Sequence, residues 1–371
     1  MDIFEVRAMK ITNIETREFS WPREKPIRNG KHVFTHVNTS FVLVHTDEGV
    51  TGVGVGRSGG PIWRESIRYL EAVVMGHDPI EVERLWHLMW VPKTLGRRGV
   101  TTRAISSLDM AFWDIRAQVA NMPLYKLLGA YRKAVPAYIA GGYYEEGKGL
   151  DDLAREMSDN VAKGAGAVKM KIGAASLAED VERVRVVREA IGRDVKLLVD
   201  ANCAYTWHEA AKIARMIEPY DIFWFEEPVA PDDYSGHAKV ARSTIIPIAT
   251  GENEYTRYGF RDLMAHDAAS IFNADAKVMG GVSEFMKVAA MAQPMDIKIA
   301  PHGAQEVHIH LVAAIENGLI LEFYDDSFDP MWGQIYDETL QLGKDGCVEA
   351  PSTAGAGIKP RFDALKNYRI A

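Results

Sequence analysis

Apolar and polar positions change rhythm three times along the chain. From residue 9 to 56 they alternate: MKITNIETREF and SFVLVHTDEGVTGVGVG carry the period-two pattern of half-buried strands, the second turning as a hairpin at Asp47 to Gly49. Between them WPREKPIRNGKHVFTH, with two prolines and four Lys/Arg, breaks the alternation and reads as an exposed loop. From about 64 to 128 the period lengthens. In SSLDMAFWDIRAQVA, residues Leu108, Ala111, Phe112, Ile115 and Val119 recur at helical spacing behind a serine cap. NMPLYKLLG closes this region, with Gly129 as its C-cap. From about 134 to 325, short apolar runs alternate with amphipathic helical segments. The runs are VPAYIAGG, GAVKMKI, VKLLVDA, DIFWFEE, IPIATGE, ASIFNAD, DIKIAPH and LILEFY. Eight in succession predict a closed (β/α)8 barrel, and no glycine-rich phosphate fingerprint opens the first unit as a dinucleotide fold would require. The Gly- and Pro-rich tail from about 340 has no barrel period and is expected to fold back onto the N-terminal region.

The expected organisation is therefore α/β: an α+β capping domain over residues 1–130, a modified TIM barrel over 131–340, and a tail over 341–371 that returns to the cap. The length of 371 residues fits a barrel of about 250 plus a smaller domain. With 47% hydrophobic residues, a net charge of -8 and no basic tract, the chain gives no reason to expect nucleic acid or a membrane as partner. Cys203 and Cys347 are too few for a disulfide framework, and MDIFEVRAMK lacks the apolar core of a secretion signal. A cytoplasmic enzyme is expected, with Met9 an alternative start.

Chemistry enters through AVKMKIG. In a strand, Lys169 and Lys171 point to the same face. A structural edge strand would explain one such pair, but three downstream runs each end in a carboxylate. Asp200, Glu226 and Glu252 follow one another at 26-residue steps, the length of one strand, one helix and two loops. Barrel strand ends converge on one site, and three carboxylates brought together repel unless a cation joins them. With oxygen ligands alone, Mg2+ is the expected ion, one per site, with Mn2+ as substitute. The remaining strand ends carry Asp275, His302 and Glu322. A carboxylate on one ring nitrogen would orient His302 and raise its basicity. A metal flanked by a lysine pair and an Asp/His pair could remove a proton α to a carboxylate.

KMKIG at Lys169, DAN at Asp200, FEEP at Glu226, GE at Glu252, the DxxxxGG of Asp275 to Gly281 and PH at His302 resemble the enolase superfamily, mandelate racemase branch. The resemblance spans nearly the whole chain. It implies Mg2+ held by Asp200, Glu226 and Glu252, with Lys171 and a His302–Asp275 dyad as two bases. It further implies Lys169 beside the substrate carboxylate, Glu322 as a protonated donor to the enediolate, and a homo-oligomer. A related cycloisomerase branch places a lysine where this chain has Asp275; Lys277 is near, but at strand spacing it falls one layer below. AGGYYEEGKGL is similar to the corresponding segment of D-tartrate-dehydratase-like proteins, which brings Tyr143, Tyr144 and Lys148 toward the site. Arg23, Lys25, Arg28 and Lys31 make the 21–36 segment a candidate lid for an anionic substrate. Asn202, Arg28, Lys31 and Tyr144 are the expected substrate contacts, with Tyr205 and Trp207 further candidates.

The expected function is Mg2+-dependent dehydration of an acid sugar or small hydroxy diacid: α-proton abstraction, loss of the β-hydroxyl, and a 2-keto-3-deoxy product. The alternative is a racemase or epimerase of an α-hydroxy acid, because bases on both faces serve that reaction equally. A barrel that only binds a ligand would have lost a metal ligand or a base; all are present.

Overall fold

A computed structural model of the protein describes residues 8–56, 60–329 and 331–371. The extension expected before Met9 lies, except for residue 8, outside the described residues.

The alternating N-terminal region forms an antiparallel sheet of β1 (Ile11–Arg28), β2 (Val33–Thr46) and β3 (Thr51–Gly56), in that order. Its apolar face rests on the helix Val100–Val119, whose Ala104, Leu108, Ala111, Phe112 and Ile115 are fully or almost fully buried. The GVGVG of β3 explains how closely they pack. A side chain on Gly54 would place its Cβ 1.9 Å from the Ser107 carbonyl oxygen, and one on Gly52 would stand 2.2 Å from that of Ala111. Two alternate glycines thus let a helix backbone lie directly on a strand. Gly54→Ala must push the two apart, and we expect it to destabilise the fold by about 3 kcal/mol, read as a lowered denaturant midpoint.

The segment 21–36 is not a loop. β1 runs on to Arg28 and β2 starts at Val33, so a two-stranded arm extends beyond the sheet. Pro22 and Pro26 obscure this in the sequence; the register shifts between Pro22 and Ile27, a place where missing N–H donors cost no ladder bonds. The turn is made by Asn29, whose Oδ1 accepts the N–H groups of Lys31 and His32 at 2.9 and 2.7 Å.

Eight parallel strands follow: β4 (Ala134–Ala140), β5 (Ala167–Lys171), β6 (Lys196–Asp200), β7 (Ile222–Glu226), β8 (Ile248–Thr250), β9 (Ile271–Phe272), β10 (Lys298–Ile299) and β11 (Leu321–Phe323). Each pairs with its predecessor from β5 through β10, β11 pairs with β4, and an Ile299–Gly318 bridge completes the ring. Inward positions are filled by Tyr138, Ala167, Leu198, Trp224, Ala249, Ile271 and Ala300. On β5, Val168 and Met170 face the surrounding helices, which leaves Ala167, Lys169 and Lys171 facing in. β12 (Cys347–Glu349) pairs antiparallel with β4, and the last residue reaches the cap, where Glu18 donates its N–H to the Ala371 carbonyl at 3.0 Å. Among the described residues, no helix is long and apolar enough to cross a membrane.

Candidate active site

The barrel mouth gathers charge that burial would otherwise forbid. Lys169 is fully buried, and its Nζ donates to Glu226 Oε1 and Oε2 at 2.9 and 3.1 Å, with Glu322 Oε1 at 2.8 Å. Burial works to lower its pKa, but Glu226 and Glu322 outweigh that and hold it well above the ordinary lysine value. Lys171 Nζ pairs with Asp200 Oδ2 at 2.5 Å. There too burial is outweighed, chiefly by Asp200, and the pKa is raised.

Asp200 and Glu226 are the last residues of β6 and β7; Glu252 stands two residues past β8. One oxygen from each lies within 4.8 Å of the others. Glu252 Oε2 is buried with no hydrogen-bond partner, and burial with the Asp200 and Glu252 charges pushes Glu226 up to about 7 against the pull of Lys169. A small hard divalent ion fits this set: all donors are oxygens, one is unsatisfied, and a positive charge relieves the repulsion.

Lys171 and His302 lie across the ring from each other, on β5 and just after β10. His302 Nδ1 meets Asp275 Oδ2 at 3.0 Å, while its Nε2 stands 3.6 Å from Glu252 Oε2. Burial opposes protonation of the ring, but Glu252 and the Asp275 hydrogen bond prevail and raise its pKa.

Two expectations change. Glu322 does not carry a raised pKa. Burial would raise it, yet Lys169, His302 and Lys171 hold it well below the usual carboxylate range, and Gly303 N–H and the Tyr324 hydroxyl donate to it at 2.6 and 3.1 Å. An ionised carboxylate accepts and cannot donate. Lys277 does not lie a layer below Asp275 either. β9 ends at Phe272, and Asp275 caps the short helix Ala276–Met279, so Lys277 turns back to within 3.7 Å of Asp275 Oδ2.

The expected substrate contacts separate into two groups. Asn202 and Lys31 line a cavity of about 220 Å³ with His32, Glu227, Glu252 and Asn253, beneath the tip of the arm. Asn202 Oδ1 is buried there without a partner. Arg28 and Tyr144 belong to a separate cavity with Arg183 and Glu146. Tyr144 donates to Asp180 and accepts from Ala174 N–H at 3.2 Å, and Arg28 donates to the Ala174 carbonyl at 3.2 Å. Backbone bonds between Arg28 and Tyr144 then fasten the arm to the barrel. Tyr144→Phe should therefore cost about 1–2 kcal/mol of stability and leave kcat within about twofold, measured by denaturant unfolding beside steady-state assays. Of the other lid cations, Arg23 donates to Phe328 O and Lys25 pairs with Glu145. Tyr205 donates to Asp180, Trp207 stacks on His208, and Lys148 pairs with Glu156.

The sequence reading passed over Tyr138, Tyr324 and Glu227. Tyr138 lies at an inward position of β4 and accepts from Lys169 at 3.2 Å. Its alternation with Ala140 was a usable signal. Glu227, the second acid of FEEP, is buried and bonded to Asn253 Nδ2 at 2.8 Å; nothing local distinguishes it from Glu226. Tyr143, by contrast, lies at the site, with Lys171 Nζ 5.1 Å from its ring centre.

Comparison with known proteins identifies the family. Residues 11–129 match the family described as Mandelate racemase / muconate lactonizing enzyme, N-terminal domain, and residues 152–364 match Enolase C-terminal domain-like. The chain is 36% identical to arabinonate dehydratase of Saccharolobus solfataricus over 308 residues, 81% of this chain and 82% of that protein. It is 34% identical to 3,6-anhydro-alpha-L-galactonate cycloisomerase of Streptomyces coelicolor over 334 residues, 89% of this chain and 91% of that protein. Its fold matches the crystal structure of a racemase from Streptomyces coelicolor with bound magnesium: the TM-score is 0.91 at 31% identity, over 97% of this chain and all of that one. The chain belongs to the mandelate racemase/muconate lactonizing enzyme family of the enolase superfamily.

Proposed function

We propose that the protein is a Mg2+-dependent hydro-lyase that converts a small anionic acid sugar or hydroxy diacid to a 2-keto-3-deoxy acid. The observation that carries this reading is a base and an acid facing each other across a carboxylate cluster: Lys171 on β5, and His302 backed by Asp275 after β10.

Asp200, Glu226 and Glu252 would hold the ion, which supplies positive charge where the substrate carboxylate gains electron density. Lys171, beside Asp200, is the group placed to accept the α proton, and an ion that took up the Asp200 charge would favour its neutral form. His302, held protonated through Asp275, is placed to give its Nε2 proton to the departing β-hydroxyl, so that water leaves. Lys169, anchored by Glu322 and Glu226, presents its ammonium to the substrate carboxylate. Glu322 thus works as the counter-charge that fixes Lys169. Asn202 and Lys31, in the cavity beside Glu252, are the contacts for the substrate's hydroxyl-bearing end.

The dehydratase among the relatives supports loss of water; the racemase structure supports a second reading, in which both bases serve a 1,1-proton transfer. Incubating the Mg2+-loaded protein with aldonic and aldaric acids, and trapping products with semicarbazide, separates them. We expect a 2-keto acid adduct from at least one acid. Inversion of an acid with no adduct would overturn dehydration in favour of racemisation.

A further inference from the structure

One largely buried cation beside the site has no task in that chemistry. Lys277 follows Asp275 by two residues, its side chain is 15% exposed, and its Nζ stands 3.7 Å from Asp275 Oδ2. That oxygen is the one that meets His302 Nδ1 at 3.0 Å. The other, Oδ1, accepts the Lys277 backbone N–H at 2.8 Å. His308 is also near, 3.7 Å from Oδ1, but it cannot serve as a counter-charge. Its Nε2 accepts from Ala276 N–H at 3.0 Å, its Nδ1 faces the Gly303 carbonyl, and burial pushes its pKa down to about 4. The Lys277 ammonium also lies against the loop that carries His302: a Cβ on Gly303 would sit 3.2 Å from Nζ.

Whenever the His302 ring is neutral, Asp275 would be a fully buried carboxylate held by that ring and one backbone N–H with no counter-charge, which is strongly unfavourable. Lys277 supplies a fixed positive charge at Asp275 whatever the state of the ring. We propose that Lys277 is a positioning residue, whose ammonium clamps Asp275 Oδ2 and through it fixes the His302 imidazole with Nδ1–H toward Asp275 and Nε2 toward the substrate. The proposal rests on the functional reading only for its consequence in turnover; the clamp itself is a property of the free protein.

Two measurements test it on Lys277→Met and Lys277→Arg. Imidazole nitrogen NMR of the substrate-free protein, taken at a pH high enough to leave the ring neutral and with His302 assigned through His302→Asn, should show a single Nδ1–H tautomer in wild type and in Lys277→Arg. Lys277→Met should show a mixed or exchange-broadened signal; an unchanged His302 signal there would overturn the clamp. In turnover, we expect Lys277→Met to lower kcat about 10²-fold with KM within about twofold, and Lys277→Arg to recover at least tenfold of the loss. In a His302→Asn background, Lys277→Met should add no further loss. A fully additive loss, or an Arg variant no better than Met, would also overturn it. An inactive wild type would count against the functional reading, while the NMR signal would still decide the clamp.

Discussion

Lys171→Ala is expected to lower kcat/KM by about 10³-fold, or about 4 kcal/mol of transition-state stabilisation, while Mg2+ binding persists. The size follows from what the group does. Lys171 is the titratable group on its side of the cluster that faces Asp200 at 2.5 Å, with the Tyr143 ring behind it. Alanine removes the base and leaves all three proposed metal ligands in place. The fold should tolerate the change, because the lost partner is one charge in a cluster that Lys169 still partly neutralises. His302→Asn should cost a similar factor, but in a different step: α-proton exchange with solvent should survive in His302→Asn if Lys171 performs it, and vanish in Lys171→Ala. Steady-state kinetics together with solvent deuterium incorporation checks both. Turnover in Lys171→Ala within tenfold of wild type would remove Lys171 from the chemistry.

Losing the metal, by chelation or by Glu252→Gln, should abolish turnover altogether. Glu252 Oε2 is a buried oxygen with no hydrogen-bond partner, among neighbours that raise the charge cost of their shared space. Glutamine keeps the shape and removes one negative charge, so the metal-free variant should be at least as stable as metal-free wild type. The wild type should gain about 2.7 kcal/mol of stability at a Mg2+ concentration 100 times Kd; the variant should gain nothing measurable. Thermal unfolding with and without Mg2+ reads the difference. A variant that is less stable without metal, and that still gains on adding it, would show that Glu252 has a structural task and is not a ligand.

Much of this site was legible in the chain because barrel geometry converts periodicity into position. Once β5, β6 and β7 are placed, Lys169, Lys171, Asp200 and Glu226 must meet at one end, and inward alternation does the rest. What the chain hides is where a strand stops. ASIFNAD looks continuous, yet only Ile271–Phe272 is strand: Asn273 spends its side chain on the Ala300 carbonyl, and Asp275 caps a helix, which turns Lys277 toward the site. The arm misled for the opposite reason. Prolines and charges suggested a loop, but a β-ribbon anchored at Arg28 and Tyr144 can carry both at its edges. Protonation states were least legible of all. Burial alone argues for a neutral Glu322; the cations around it, foremost Lys169 at 2.8 Å, reverse that.

The most direct test of the central claim is proton NMR of the Mg2+-loaded protein in D2O with aldonic, aldaric and aromatic hydroxy acids. The mechanism requires a substrate whose α-proton signal disappears as new signals grow at C3 of a 2-keto-3-deoxy acid, one of its two hydrogens being deuterium from solvent. Loss of the α proton with the carbon skeleton and its hydroxyls intact would contradict dehydration and assign the two bases to racemisation.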